Sequence, residues 1–206
     1  MDANYPQAIA FVLRWEGGLA DDPDDHGGRT MKGVTQRVYD TWRQNNGLST
    51  RDVAVIEDAE LADIYSRGYW KPARCETLRS ALDLVTFDTS VNMGPGRAVR
   101  ILQEAVGTDV DGGFGTKTQA ACDACALPDA VVKYCAIREG LYHTFAARPG
   151  QSKFLRGWLN RLNDLRAEAR LPGFTRSRDS TIDFGDTNFI ERVPDLGPGQ
   201  ALEKWR

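Results

Sequence analysis

The chain has 206 residues, with 29 acidic against 26 basic side chains for a net charge of −3, and 41% of its residues are hydrophobic. That length holds one large domain or two small ones around a real core, and the mild acidic balance argues against a polybasic partner for nucleic acid or for an anionic membrane face. No window approaches the roughly 18 apolar residues of a membrane span. Asp2 stands where a secretory leader would be basic, so no Sec signal is expected.

Helical periodicity dominates in chain order. The run YPQAIAFVLRWE sets Ile9, Val12, Leu13 and Trp15 along one side of a first helix, and Gly17 and Gly18 are expected to end it through a left-handed exit. Residues 19–35 are rich in turn formers and include the extended piece TMKGVT, which reads as an irregular β-hairpin. Thr35 is the expected N-cap of the helix TQRVYDTWRQNN, and STRD at Ser49–Asp52 has the form of a capping box before a short helix. Two further helical runs, DAELADIYSRGYW and TLRSALDLVTFDTSVNM, lead to Pro95, which suits a first helical turn. The glycine-rich TDVDGGFGT feeds another helix, and two long ones, PDAVVKYCAIREGLYHTFAA and SKFLRGWLNRLNDLRAEARL, follow. The last stretch, from Phe174, loses periodicity and reads as an appendage. The expected fold is mainly α with a small β-hairpin after the first helix, divided into segments 1–90, 91–173 and 174–206, the first two packed as one body.

Cys122 and Cys125 form a CxxC, but the chain has only two histidines, His26 and His143, and neither has ligand spacing to that pair. The four cysteines, with Cys75 and Cys135, are therefore expected to be reduced, partly buried thiols and not a metal site.

The stretch Arg14–Thr35 places one glutamate at the end of a helix and four aspartates in the glycine-studded loop behind it. A helix C-terminus carries unsatisfied carbonyls and partial negative charge. Beside Trp15, that setting favours Glu16 in its protonated form, as a general acid requires. Asp25 follows nine residues later, where it would face Glu16 across a groove as the second carboxylate that glycoside cleavage needs. Thr30 and Thr35 offer hydroxyls for a water; their odd separation sets them on opposite faces of an unbroken strand, and with Thr35 used as a cap Thr30 becomes the cleft candidate. From these residues alone three readings stay open: a hydrolytic carboxylate pair, a solvated acidic loop, and a metal site, although the loop lacks EF-hand spacing.

The ordered elements Glu16-Gly17-Gly18, Asp22-Pro23, Asp25, Gly27-Gly28, Thr30 and Gly33-Val34-Thr35 resemble the N-terminal signature of glycoside hydrolase family 108. The Glu–nine–Asp spacing is also similar to that of phage-type lysozymes. The resemblance implies a lysozyme-like α-helical fold and cleavage of the β-1,4 bond after N-acetylmuramic acid, with Glu16 as the catalytic acid and Asp25 as its partner. It implies no cofactor. Further along, Asp111, Gly112, Gly115 and Thr118 in VDGGFGTKTQAA match the D-G-x-x-G-x-x-T core of peptidoglycan-binding domains, where a tight turn built by Asp111 and the glycines is the physical reading.

Candidate glycan or peptide contacts are Tyr69, Asp88, Asn92 and Asp111, since aromatic faces stack on sugars and Asp or Asn bonds hydroxyl and acetamido groups. Asp88 and Asn92, four apart, share a helix face and suggest a cleft wall, whereas Trp70 and Trp158 read as core. The sequence reading is thus a peptidoglycan muramidase acting as a monomer on the cell wall. It would be made in the cytoplasm and delivered by a holin or a secretion system, in the manner of a phage endolysin or a secretion-assisting muramidase. The rivals are a lytic transglycosylase and a non-catalytic wall-binding protein.

Overall fold

A computed structural model describes residues 2–20 and 29–169. Asp25 and the acidic loop around it, with His26, Gly27 and Gly28, lie outside the described residues, as does the chain from position 170. Eight α-helices are described: α1 (Tyr5–Trp15), α2 (Gln36–Asn45), α3 (Asp58–Tyr65), α4 (Leu82–Met93), α5 (Pro95–Val106), α6 (Thr116–Ala124), α7 (Leu127–Ala146) and α8 (Leu155–Glu168). Three two-residue strands, β1 (Leu19–Ala20), β2 (Thr30–Met31) and β3 (Val34–Thr35), form an antiparallel sheet in the order β1-β2-β3. The expected hairpin is therefore present as the β2–β3 pair, with β1 added on the other edge.

Helix α4 is the axis of the molecule. Leu82, Leu84, Val85, Phe87 and Met93 are buried around it, as are the polar residues Asp83, Thr86, Asp88, Thr89 and Ser90. A helix buried on every side must find partners for its polar groups within the protein. Thr89 Oγ1 donates to the Val85 carbonyl at 2.7 Å and Ser90 Oγ to the Tyr69 carbonyl at 2.9 Å. Helices α1, α5 and α7 pack against α4, and α8 packs on α7. One hydrophobic core runs from Ala8 to Leu165 and crosses from the first segment into the second without a break. Gly94 closes α4 and opens α5 with φ +88°, a corner that a side chain would strain, and Pro95 starts α5 as expected.

Several local expectations hold and several change. Thr35 caps α2, its hydroxyl accepting from the Val38 N–H. At the next start the cap is Asp52, which accepts from Ala54 N at 2.9 Å ahead of the short 3-10 turn Val53–Val55; Ser49 does not cap it. The buried stripe of α1 is Ala8, Ile9, Phe11 and Val12, with Leu13 and Trp15 packed at its margin. Neither Gly17 nor Gly18 adopts a left-handed conformation. The helix ends instead at Glu16, which turns extended (φ −88°, ψ 134°) while its N–H still bonds the Val12 carbonyl at 3.2 Å. The piece TMKGVT is not one strand: Lys32 (φ +48°) and Gly33 (φ +75°) fold it back as a two-residue turn of left-handed residues, the form that matches strand twist. Thr30 consequently lies directly opposite Thr35 in register, and the two share a face.

Candidate active site

The site is assembled where α1 ends. Three successive residues there grip one face of α8. Arg14 Nη2 bonds Glu168 Oε2 at 2.7 Å, Trp15 Nε1 donates to Asp164 Oδ2 at 3.2 Å, and Arg161 Nη1 donates to Glu16 Oε1 at 3.0 Å. Positions 161, 164 and 168 follow the helical repeat, so a single α8 face receives the whole end of α1. The Glu16 and Arg161 side chains are only 9% and 4% exposed.

The second oxygen of the Glu16 carboxyl lies against the hairpin tip. A Cβ on Gly33 would come within 2.9 Å of Glu16 Oε2 and 2.5 Å of the Tyr65 hydroxyl, so only glycine lets the turn approach so closely. Tyr65, at the end of α3, holds that turn by donating to the Lys32 carbonyl at 2.8 Å. Burial, and then the nearby Glu16 carboxylate, push the Tyr65 hydroxyl well above its ordinary value, so it stays neutral and a donor.

Behind Glu16 lies a dry ionic chain. Arg161 Nε and Nη2 both meet Asp88 Oδ1, at 2.9 and 2.8 Å, and Arg138 Nη1 meets Asp88 Oδ2 at 2.6 Å. The Asp88 and Arg138 side chains are 0% exposed. Arg138 also donates to Thr89 Oγ1 at 3.1 Å and, through Nε, to the Tyr142 hydroxyl at 2.9 Å; Tyr142 in turn donates to Asn92 Oδ1 at 2.8 Å. Burial works against an ionised Asp88, but Arg161 and Arg138 outweigh it and hold the carboxyl below the usual range. Burial likewise disfavours the Arg161 charge, and Asp88 and Glu16 together more than offset that, raising it.

The sequence candidates thus separate. Glu16 and the Thr30 strand flank the hairpin side, and Asp25 falls outside the described residues. Asp88 is not a cleft wall: the polar face it shares with Asn92 points inward, because two arginines from α7 and α8 meet it there. Asn92 is half-buried and joined to the same chain through Tyr142. Tyr69, half-buried in the π-helical turn Ser66–Trp70, packs its ring 5.6 Å from that of Tyr65 and so sits one residue back from Glu16. Asp111 belongs elsewhere: its Oδ1 accepts from Gln103 Nε2 at 2.7 Å and Gly113 N at 2.8 Å, so its carboxylate is engaged in the turn before α6 and not in the Glu16 chain. Trp70 and Trp158 are core, as expected. All four cysteines are free thiols, and Cys125 Sγ lies 2.9 Å from Arg79 Nη2. Among the described residues no group of three or more His, Cys, Asp or Glu is arranged to hold a metal ion.

Arg161, Arg138 and Tyr65 escaped the sequence reading. A usable signal existed for the arginines. Arg161 sits on the same stripe of α8 as buried Trp158, Leu162 and Leu165, and Arg138 lies on the stripe of α7 formed by Val131, Tyr134, Cys135 and Tyr142. A charge on an apolar stripe requires a buried partner.

A mainly helical body with a small sheet after the first helix, and a buried glutamate where that helix ends, defines a lysozyme-like protein. The family model described as Glycosyl hydrolase 108 matches residues 9–94, and that described as Predicted Peptidoglycan domain matches residues 97–163. The solved structure titled "Structure of Brucella abortus SagA" is similar at 30% identity and a TM-score of 0.68, covering 86% of this chain and 99% of that one. Among curated proteins none matches. The chain belongs to the glycosyl hydrolase 108 family, with a peptidoglycan-binding segment behind its catalytic one, and its function is of the peptidoglycan-hydrolase type. No helix among the described residues is long and apolar enough to cross a membrane.

Proposed function

We propose that this glycoside hydrolase is an N-acetylmuramidase that cleaves the β-1,4 bond between N-acetylmuramic acid and N-acetylglucosamine. The observation that carries the reading is the Glu16 carboxyl, buried at the end of α1, with its two oxygens in different surroundings. A guanidinium only donates hydrogen bonds, so Arg161 binds the oxygen that carries no proton. In the acid form of Glu16 the proton to be delivered therefore sits on Oε2, the oxygen beside the hairpin tip. Its transfer to the glycosidic oxygen lets the C1–O bond break, with the electron pair leaving on the departing sugar. Asp25 supports the positive charge at C1 or takes the proton of the attacking water, and the Thr30 hydroxyl orients that water. Tyr69 and Asn92 are the remaining candidate contacts to the glycan.

Delivery to the wall by a holin or a secretion system accompanies this reading, for a role as a phage endolysin or a secretion-assisting muramidase. The test is digestion of purified peptidoglycan followed by mass spectrometry of the released fragments. Wild-type protein is expected to release muropeptides with reducing N-acetylmuramic acid ends, and Glu16→Gln to lose on the order of 10²–10⁴ in rate. Full lysis by Glu16→Gln would sink the assignment, 1,6-anhydro ends would turn it into a lytic transglycosylase, and binding without any cleavage would leave a wall-binding protein.

A further inference from the structure

The segment that matches the peptidoglycan domain supplies two charges to the buried chain behind Glu16: Arg138 from α7 and Arg161 from α8. We infer that α7 and α8 are part of the catalytic unit, with Arg161 as the positioning residue of Glu16 and the Asp88–Arg138 pair fixing both the orientation and the effective charge of Arg161. This rests on the reading of Glu16 as the catalytic acid.

Geometry carries the inference. Arg161 is held through Nε and Nη2 on one Asp88 oxygen, which fixes the plane of its guanidinium and leaves Nη1 aimed at Glu16 Oε1. The other Asp88 oxygen is taken by Arg138, so the aspartate cannot turn away. The order Glu16–Arg161–Asp88–Arg138 alternates in sign, each of the four pairing within the set only with the next. Burying such a set is costly, and apolar residues of similar volume often serve stability as well or better. The chain is therefore poorly explained by stability, and it ends on the carboxyl assigned as the acid. The other groups around Glu16 do not compete for this role. Tyr65 from α3 remains neutral, Tyr69 packs behind it, the Lys32–Asp58 pair stands at the hairpin tip, and Arg14 pairs on the outside with Asp164 and Glu168.

Alternating charge makes a pattern that loosened packing would not imitate. Glu16 works protonated, so activity falls on the alkaline side of its pH profile. Removing the Arg161 charge in Arg161→Met destabilises the carboxylate form and moves the alkaline limb up. Removing the Asp88 charge in Asp88→Asn leaves Arg161 uncompensated toward Glu16 and moves the limb down. Arg138→Met, one step further along, moves it up again and by less. The experiment is the pH profile of kcat/KM for the full-length variants on soluble peptidoglycan fragments, with circular dichroism to establish folding. Limbs that stay in place in folded variants, or that all move in one direction, overturn the inference. Should the charge-removing variants fail to fold, Arg161→Lys decides. An ammonium cannot bridge both carboxylates in the same plane, so kcat is expected to drop at least tenfold with KM unchanged, and an unchanged kcat overturns the inference. Glu16→Gln separates the two levels. If it retains activity the catalytic reading has failed, whereas an inactive Glu16→Gln beside unmoved limbs removes the present inference alone.

Discussion

Two regions of the molecule use the same set of parts to different ends. In the first, Glu60 stands between Arg43, at 2.5 Å, and Arg51, at 2.6 Å, and accepts from the Tyr39 hydroxyl at 2.5 Å. In the second, Asp88 stands between Arg138 and Arg161 with Tyr142 alongside. Burial opposes ionisation of both carboxyls and their partners overcome it, for Glu60 through Tyr39, the Glu57 N–H and Arg51. The Glu60 set closes on itself. Its members come from α2, α3 and the loop between them, Glu60 also caps its own helix by accepting from Glu57 N at 3.0 Å, and Arg51 is 31% exposed. The Asp88 set is dry, joins helices from both family segments and ends on Glu16. An ionic cluster that is satisfied locally acts as a clamp; one that leaves a functional carboxyl at its end acts on that carboxyl.

The sharpest way to break the comparison is to neutralise the two central carboxylates. Asp88→Asn strands two buried guanidinium groups and is expected to cost about 3–5 kcal/mol of stability, together with a loss of lytic activity per folded molecule. Glu60→Gln, with water at its margin, is expected to cost about 1–3 kcal/mol and to leave activity per folded molecule unchanged. Urea unfolding beside a turbidity assay on peptidoglycan reads both quantities, and equal activity losses would erase the distinction.

Next in size is Gly33→Ala. The added methyl meets the Tyr65 hydroxyl and Glu16 Oε2 on a backbone already at φ +75°, so a stability loss of about 1–3 kcal/mol is expected. Activity should fall further than that loss accounts for, by up to roughly 100-fold, because the acid itself is displaced. Thermal melts and initial rates below the melting transition separate the two effects.

Acid sensitivity is the smallest expected effect. Asp88 is held below the usual carboxylate range, so its contribution to stability is fully present above the unfolded value near about pH 4 and is lost as pH falls through its folded value. Unfolding free energy measured from pH 6 downwards should decline below about pH 4. Asp88→Asn should flatten that decline more than Glu60→Gln does if the dry cluster holds its carboxylate the more tightly.

Much of the fold and one half of the site were legible in the sequence. The Thr35 cap, the Pro95 start, the turn built on Asp111 and the core placement of Trp70 all follow from local chemistry within a few residues. The stop of α1 falls where expected, although not by the left-handed glycine exit expected to produce it. The hairpin was only partly readable, because a lysine in a left-handed turn gives no signal of the kind that Gly33 beside it does. Asp88 was read with the wrong polarity: a polar pair four apart on a helix looks the same whether it faces water or buried arginines.

By itself, then, the sequence determined that the chain is mainly helical, where several of its helices are capped, which residues can serve as acid and turn, and to which family the chain belongs. These depend on neighbours in the chain. Only the tertiary structure decided what Glu16 touches. Its ionic partner lies 145 residues away and that partner's anchor a further 73 back, separations recorded in no local pattern. They are set by the packing of α1, α4, α7 and α8 around a core too dry for an unpaired charge.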